Sequence, residues 1–415
     1  MLDFLKLSVA SRTGTERTIW ILLLCFVFSI TFSIAITHIL LGSIVILYLY
    51  RKIRYDRVFP RFGLLLPAAA FSYLTLLSVV FSIHPSLSLI HAKNLTLFII
   101  LPVFFDSVRD LDDVRVIYGT LIFAGIISAA YGLFQFFGSD TGLSSIRIKG
   151  FLSHWMTFSG LLMMLNVLLL SHLLFSPKLP LWFYLAFGIL SLGLLLSLTR
   201  NAWIGFLAAA CVLLPMRRVR FIFLVPVGVF IVFVVSPLVF PSFVAERLTS
   251  VFNPNETSNR DRIQMLHSGW KIIQDYPLTG VGGDMIEVVY PQYREPDSPF
   301  RNNPHLHNNF VQLAAENGVL ALFAWLWLLI KVVVDLVHWK RNVKSPEEKL
   351  MIHGTIGIVV SVVVAGLFEY NFGDSEIRML FLTLITLPYA WNKRMAVSDI
   401  PQKVSPAEAA VEATA

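Results

Sequence analysis

The sequence predicts an all-α, polytopic integral membrane protein: about twelve transmembrane helices interrupted by one large loop with amphipathic helices. Three observations point there. The 415 residues are 56% hydrophobic and 14% charged, and a mean hydropathy of +0.72 excludes a soluble globule of this size. Crossing hydrocarbon as a helix takes about 20 apolar residues, and roughly twelve such stretches occur. The apolar character then lapses once at length, over residues 242–308, which hold Arg260, Arg262, Arg294, Arg301, His305 and His307.

The spans run in order. Residues 18–50 are too long for one helix and carry His38 near their middle, so they divide into two. Next come 62–81, 86–105, 116–137, 151–175, 179–198, 202–216 and 221–240, and after the polar segment 310–339, 352–368 and 377–391. Small residues at Gly125, Ala129, Gly160 and Gly205 would let the helices approach closely. The expected organisation is spans one to nine over 1–241, a loop over 242–308, spans ten to twelve over 309–394, and a tail from Met395 whose Ala, Pro, Glu and Val content suggests disorder.

Charge sets the expected orientation. With the N-terminus inside, roughly 21 of the 33 Lys and Arg fall in cytoplasmic segments, as the positive-inside bias requires. Both termini are then cytoplasmic and the large loop lies outside. The net charge of +7 suits anionic lipid headgroups; no basic, aromatic-interleaved stretch suggests nucleic acid. Cys25 and Cys211 both lie in expected spans, so no disulfide framework is anticipated. The first span has no small-residue cleavage site after it and reads as a retained anchor. Cations left outside, among them Arg147, Lys149, Arg200, Arg247, Arg260, Arg262 and Arg301, call for a reason.

Within the loop, Pro241 should break the preceding helix, and 253–259 reads as a turn leading to a helix start. Ile263, Leu266, Trp270 and Ile273 recur at three- and four-residue spacing, which predicts an amphipathic helix over 260–276, capped by Ser258 or Asn259 and lying along the membrane surface. Pro277 and Gly280 end it, Gly282 and Gly283 permit a reversal, and 291–304 reads as irregular.

The pieces Ser-Leu-Thr-Arg-Asn-Ala-Trp at 197–203, Glu-Arg-Leu-Thr-Ser-Val-Phe at 246–252, Asp-Tyr-Pro-Leu-Thr-Gly-Val-Gly-Gly at 275–283 and His-Leu-His-Asn-Asn-Phe at 305–310, running on to Glu316-Asn-Gly318, occur in an order and spacing that resembles the O-antigen ligase and polymerase superfamily. Residues 147–154 and 366–374 extend the likeness to about 147–374. The resemblance implies a bacterial inner-membrane glycosyltransferase. It would move an O-antigen from undecaprenyl diphosphate to lipid A-core on the periplasmic face, with no metal or cofactor. It implies His307 as the essential histidine and Arg200 and Arg262 as diphosphate-binding residues. The chain departs from the common pattern at Leu266, where many relatives carry Trp, and Arg260 competes with Arg262 for the second arginine role.

The chemistry asks for such residues independently. Breaking a sugar C1–diphosphate bond builds negative charge that guanidinium groups stabilise, and the attacking hydroxyl must lose a proton to a base such as imidazole. Arg147 and Lys149 are candidates for acceptor phosphate contacts, His305 for an orienting neighbour, and Arg301 for substrate contact. Arg200 could instead snorkel to headgroups, and Arg260 and Arg262 could be a solvated face. His305 and His307 could bind a metal, but no third ligand has persuasive spacing. Glu369 and Asp374 are expected to pair with Arg378 or to touch the acceptor. The alternatives to a ligase are an O-antigen polymerase, a protein-glycosylating relative, which usually carries an additional C-terminal region, and a transporter. For transport, Lys93 and Lys331 suggest no coherent path.

Overall fold

A computed structural model describes residues 2–138, 147–239, 242–250, 253, 256–296, 298, 301–343 and 345–398. The described residues are helical, with no strand. The chain opens with α1 (Leu2–Ala10), α2 (Gly14–Ser29), α3 (Ile34–Arg51), α4 (Leu65–Val80), α5 (Pro85–His91), α6 (Ile100–Ser107) and α7 (Leu111–Phe137). It continues through α8 (Trp155–Phe175), α9 (Leu181–Leu196), α10 (Arg200–Arg217) and α11 (Leu224–Val239). The polar segment supplies α12 (Ser242–Thr249), α13 (Thr257–Asp275) and α14 (Ile286–Tyr293), and α15 (Asn309–Trp339), α16 (Pro346–Ala365) and α17 (Ser375–Ser398) complete the bundle. Pro241 and residues 399–415 of the expected tail lie outside the described residues; α17 itself runs past Met395.

Each apolar stretch read from the sequence carries helix among its described residues. Among the described residues, seven segments are long and apolar enough to cross a membrane: Ile34–Asp56, Pro85–Ser107, Leu111–Phe137, Trp155–Phe175, Val219–Val239, Asn309–Trp339 and Pro346–Ala365. This is a multi-pass membrane architecture. Burial sorts the helices. The window in Trp155–Phe175 is 78% buried and that in Val219–Val239 is 0% buried, so α8 is the axis of the bundle and α11 its rim. Close approach at the axis needs small residues. A Cβ on Gly205 of α10 would lie 2.5 Å from Met163 Sδ of α8 and 2.7 Å from the Ser361 carbonyl of α16, where the helices pack backbone to side chain.

The segment expected as one span over 86–105 is broken. A 3-10 turn, Ala92–Ile99, separates α5 from α6, and the Arg378 guanidinium donates to the Asn94 carbonyl at 3.2 Å. A freed carbonyl in a bundle needs such a partner.

The 278–283 turn interlocks with the start of α15. Val281 N donates to Ala315 O and Gly282 N to Glu316 O, both at 2.9 Å, while Gly318, at φ 83° and ψ 163°, kinks the helix. A Cβ on Gly318 would strike the Leu278 carbonyl, so only glycine fits the crossing. The two motifs are thus halves of one backbone joint.

Candidate active site

One end of the bundle, where α8, α10, α15 and α17 begin, carries the candidate site. Its histidine is held by two asparagines. Asn308 caps α15, its Oδ1 accepting from Phe310 N at 2.9 Å and Val311 N at 3.0 Å, and its Nδ2 donates to Leu367 O at 2.9 Å. Asn309 Nδ2 donates to Asn371 Oδ1 at 2.7 Å, and Asn309 Oδ1 accepts from Phe372 N at 3.1 Å. The His-Asn-Asn-Phe motif is therefore bolted to the 366–374 loop, which carries Glu369. His307 itself sits at φ 47°, a left-handed conformation that costs a non-glycine residue energy and clusters at functional sites.

Glu369 is the hub. Its Oε1 lies 2.7 Å from His307 Nδ1 and 3.2 Å from His305 Nε2, and its Oε2 lies 3.7 Å from an Arg262 terminal nitrogen. Burial favours the neutral acid, but hydrogen bonds from His305 and His307 outweigh it and hold the Glu369 carboxyl well below the usual range. The same contact works on His305: burial disfavours its charged form, and the bond to Glu369 overcomes that and raises its pKa. An ionised carboxylate only accepts. Hence the bond puts the His307 proton on Nδ1 and leaves Nε2 of the neutral ring as an acceptor, as a general base requires.

Beside this pair lies a second hub. Arg200, first residue of α10, is 6% exposed and donates to Ser250 O at 3.0 Å, Glu256 Oε2 at 3.2 Å and Ser258 Oγ at 3.2 Å. The turn that delivers it uses Leu198 at φ 53°, and Trp203 Nε1 ties α10 back to Leu194 O at 2.9 Å. Glu256 also accepts from Arg247 at 3.2 Å. Burial, then the nearby charges of Arg200 and Arg147, lowers the Arg247 pKa to about 10. Burial, then Arg200 and Arg262, lowers that of Arg147, whose guanidinium stacks 5.2 Å from the Trp155 ring. Four guanidiniums thus face three carboxylates, Glu369, Glu256 and the buried Asp261 beside Arg262, an excess of one positive charge before the histidines are counted. The buried Nε atoms of Arg247 and Arg262 have no hydrogen-bond partner among the described residues, which leaves donors unspent.

The remaining candidates separate. Arg260, Lys149 and Arg301 are exposed, while Arg262 on α13 turns inward. Helix α13 starts at Thr257, earlier than expected, and its cap is Glu256, which accepts from Asn259 N at 3.1 Å; neither Ser258 nor Asn259 serves. The apolar stripe is divided: Ile273 packs inward with Met265 and Ile272, whereas Ile263 and Trp270 are 49% and 61% exposed. The expected pairing of Glu369 or Asp374 with Arg378 does not form. Arg378 donates to Phe372 O at 2.9 and 2.6 Å, and Asp374 accepts from Thr157 at 2.9 Å. The 390 Å³ cavity beside His307 is lined by His154, His305, Glu369, Tyr370 and Asp374.

A third ligand to join His305 and His307 exists after all. Glu369 supplies it from 62 residues away, and the three ligand atoms lie within 4.8 Å of one another. That is the protein ligand count of a catalytic zinc. The arrangement is nevertheless poor for a dication, because the Arg262 guanidinium stands 3.7 Å from the same carboxylate and both imidazoles already bond a single oxygen.

Residues 185–326 match the O-antigen ligase family. That stretch is 142 of the 415 residues, and over it the chain is similar to the O-antigen ligase family. Its members are glycosyl-transferring enzymes that act on polyprenyl-linked glycans. The matched stretch encloses Arg200, Arg247, Glu256, Arg262, His305 and His307, whereas Arg147 and Glu369 fall outside it. No curated protein matches the sequence.

Proposed function

We propose that this protein is an O-antigen ligase of the bacterial inner membrane. Its twelve spans would place both termini in the cytoplasm and the 242–308 loop in the periplasm. The donor is an undecaprenyl-diphosphate-linked O-antigen and the acceptor a sugar hydroxyl of lipid A-core. The observation that carries the reading is the Glu369–His307 bond set directly beside a cluster of four arginines. A base with a fixed tautomer next to surplus positive charge suits transfer from a diphosphate.

The reaction is a single displacement with inversion. The acceptor oxygen attacks C1 of the donor sugar as its proton passes to His307 Nε2. The C1–O bond to phosphate breaks, and the electron pair leaves on undecaprenyl diphosphate. Arg200 and Arg262 bind that diphosphate bidentately, with Arg147 and Arg247 alongside. Glu256 is the counter-ion of Arg200 and Arg247 and yields that place to the donor. His305, sharing Glu369, positions His307. No step uses a metal, so excess chelator should leave turnover unchanged.

The test is reconstituted transfer with purified protein, undecaprenyl-diphosphate O-antigen and lipid A-core. Glycosylated core is the expected product. Elongation of the polyprenyl-linked glycan with no transfer to core would assign the chain to the polymerase branch, and abolition by chelator would replace the metal-free mechanism.

A further inference from the structure

The opposite end of the bundle carries a second polar cavity. Ser375 begins α17 at the candidate active site, and 18 residues on, at about 1.5 Å each, Lys393 lies roughly 27 Å away, close to the ~30 Å of a hydrocarbon core. There a 1060 Å³ cavity is lined by Arg51, Lys52, Asp56, Arg57, Arg61, Phe105, Asp106 and Lys393, among others. Five cations face two carboxylates, a surplus of three. The carboxylates hold three of the cations in place. Asp106 meets Lys52 at 2.6 Å and Lys393 at 3.4 Å, and Asp56 meets Arg51 at 3.3 Å and Lys52 at 3.4 Å. Arg57 and Arg61 have no carboxylate partner among the described residues.

The backbone is specialised here too. Helix α3 ends in a π-turn, Lys52–Asp56, and Arg57 follows at φ 49°, its N–H closing on Lys52 O. Such turns and left-handed residues recur at functional sites. Val58 and Phe59 line the cavity and are 70% and 54% exposed, as suits a rim set among acyl chains and headgroups. The cavity opens to the surface and is larger than a bare phosphate ion needs.

The geometry points to a binding site for the phosphate headgroup of an anionic glycerophospholipid at the membrane face opposite the active site, with Arg57 and Arg61 as its phosphate ligands. Basic pockets between spans are a recurrent form of such sites.

Native mass spectrometry of the full-length protein, released from detergent after titration with phosphatidylglycerol, cardiolipin or phosphatidylcholine, tests this. Wild type is expected to retain the two anionic lipids over phosphatidylcholine. The Arg57→Gln/Arg61→Gln double variant, checked for its monodisperse elution, should bind them on the order of twentyfold more weakly, about fivefold per arginine. Equal retention of anionic and zwitterionic lipid by wild type would overturn the site, a result that needs no variant. Displacement of the anionic lipid by millimolar inorganic phosphate would overturn the lipid assignment, and unchanged binding in a folded double variant would overturn the choice of ligands.

Discussion

The two ends of the bundle use the same device for different ends. At each, a few carboxylates collect cations from separate helices: Glu369 and Glu256 at one end, Asp106 and Asp56 at the other. Only the first end adds imidazoles. Its hub carboxylate is also nearly fully buried, at 4% exposure, so electrostatic interactions there are little screened. Count of charge does not separate the two ends, since the opposite face holds more Lys and Arg. What separates them is a buried acceptor that fixes a tautomer, beside guanidiniums of which Arg247 and Arg262 keep a buried Nε donor without a partner among the described residues.

Changes at the Glu369 end should therefore reach the chemistry, and matched changes at the Asp106 end should not. The largest effect is expected from His307→Ala: kcat falls by about 10²–10⁴, the span for loss of a general base, with donor KM little changed. Steady-state kinetics over both substrates checks that split. Next is Arg262→Ala, where losing a donor to the leaving diphosphate should cost about 10²–10³ in kcat/KM. Arg260→Ala, on the exposed face of the same helix, should stay near wild type in the same assay. Glu369→Gln keeps an acceptor oxygen but loses its charge. A drop of about 10–100-fold, typical for an orienting partner of a histidine, is expected, against no change for Asp106→Asn.

The smallest effect concerns stability. Burial, chiefly, pushes the Asp374 carboxyl up to about 6, above its value of ~3.9 in an unfolded chain. A raised acid binds its proton more tightly when folded, so its contribution is full below about pH 4 and is lost as pH rises through 6. Asp374→Asn should accordingly raise Tm relative to wild type at pH 7.5 and lose that advantage by about pH 3.5, below the unfolded value, read by thermal unfolding in detergent.

Much of the bundle was legible, because about 20 apolar residues leave a chain in lipid few alternatives to a helix. The break at Ala92–Ile99 was not, since Lys93 and Asn94 are tolerated only because Arg378 caps the exposed carbonyl from 284 residues away. In the site, His307, Arg200 and Arg262 could be named from local motifs. The partner of His307 could not: Glu369 is 62 residues distant and sits beside Arg378, the nearer cation in sequence. Glu256 was hidden for a similar reason. As a helix cap it satisfies a local rule, and nothing local records that its other oxygen contacts reach Arg200 and Arg247. The amphipathic period of α13 was real but its stripe is divided: Gly269 and Ser268 let the helix seat closely against Leu306 and Val311 with Ile273 inward, while Ile263 and Trp270 stay outside.

The central claim is that His307 Nε2 takes the acceptor proton. Chemical rescue tests it most directly: the His307→Gly variant, shown to be folded and to bind donor, is assayed for transfer to lipid A-core with increasing free imidazole. The account predicts that the lost activity returns with added imidazole while wild type and Arg262→Ala do not respond. A His307→Gly enzyme that retains its activity, or one that binds donor normally yet is not restored by any small base, would contradict it.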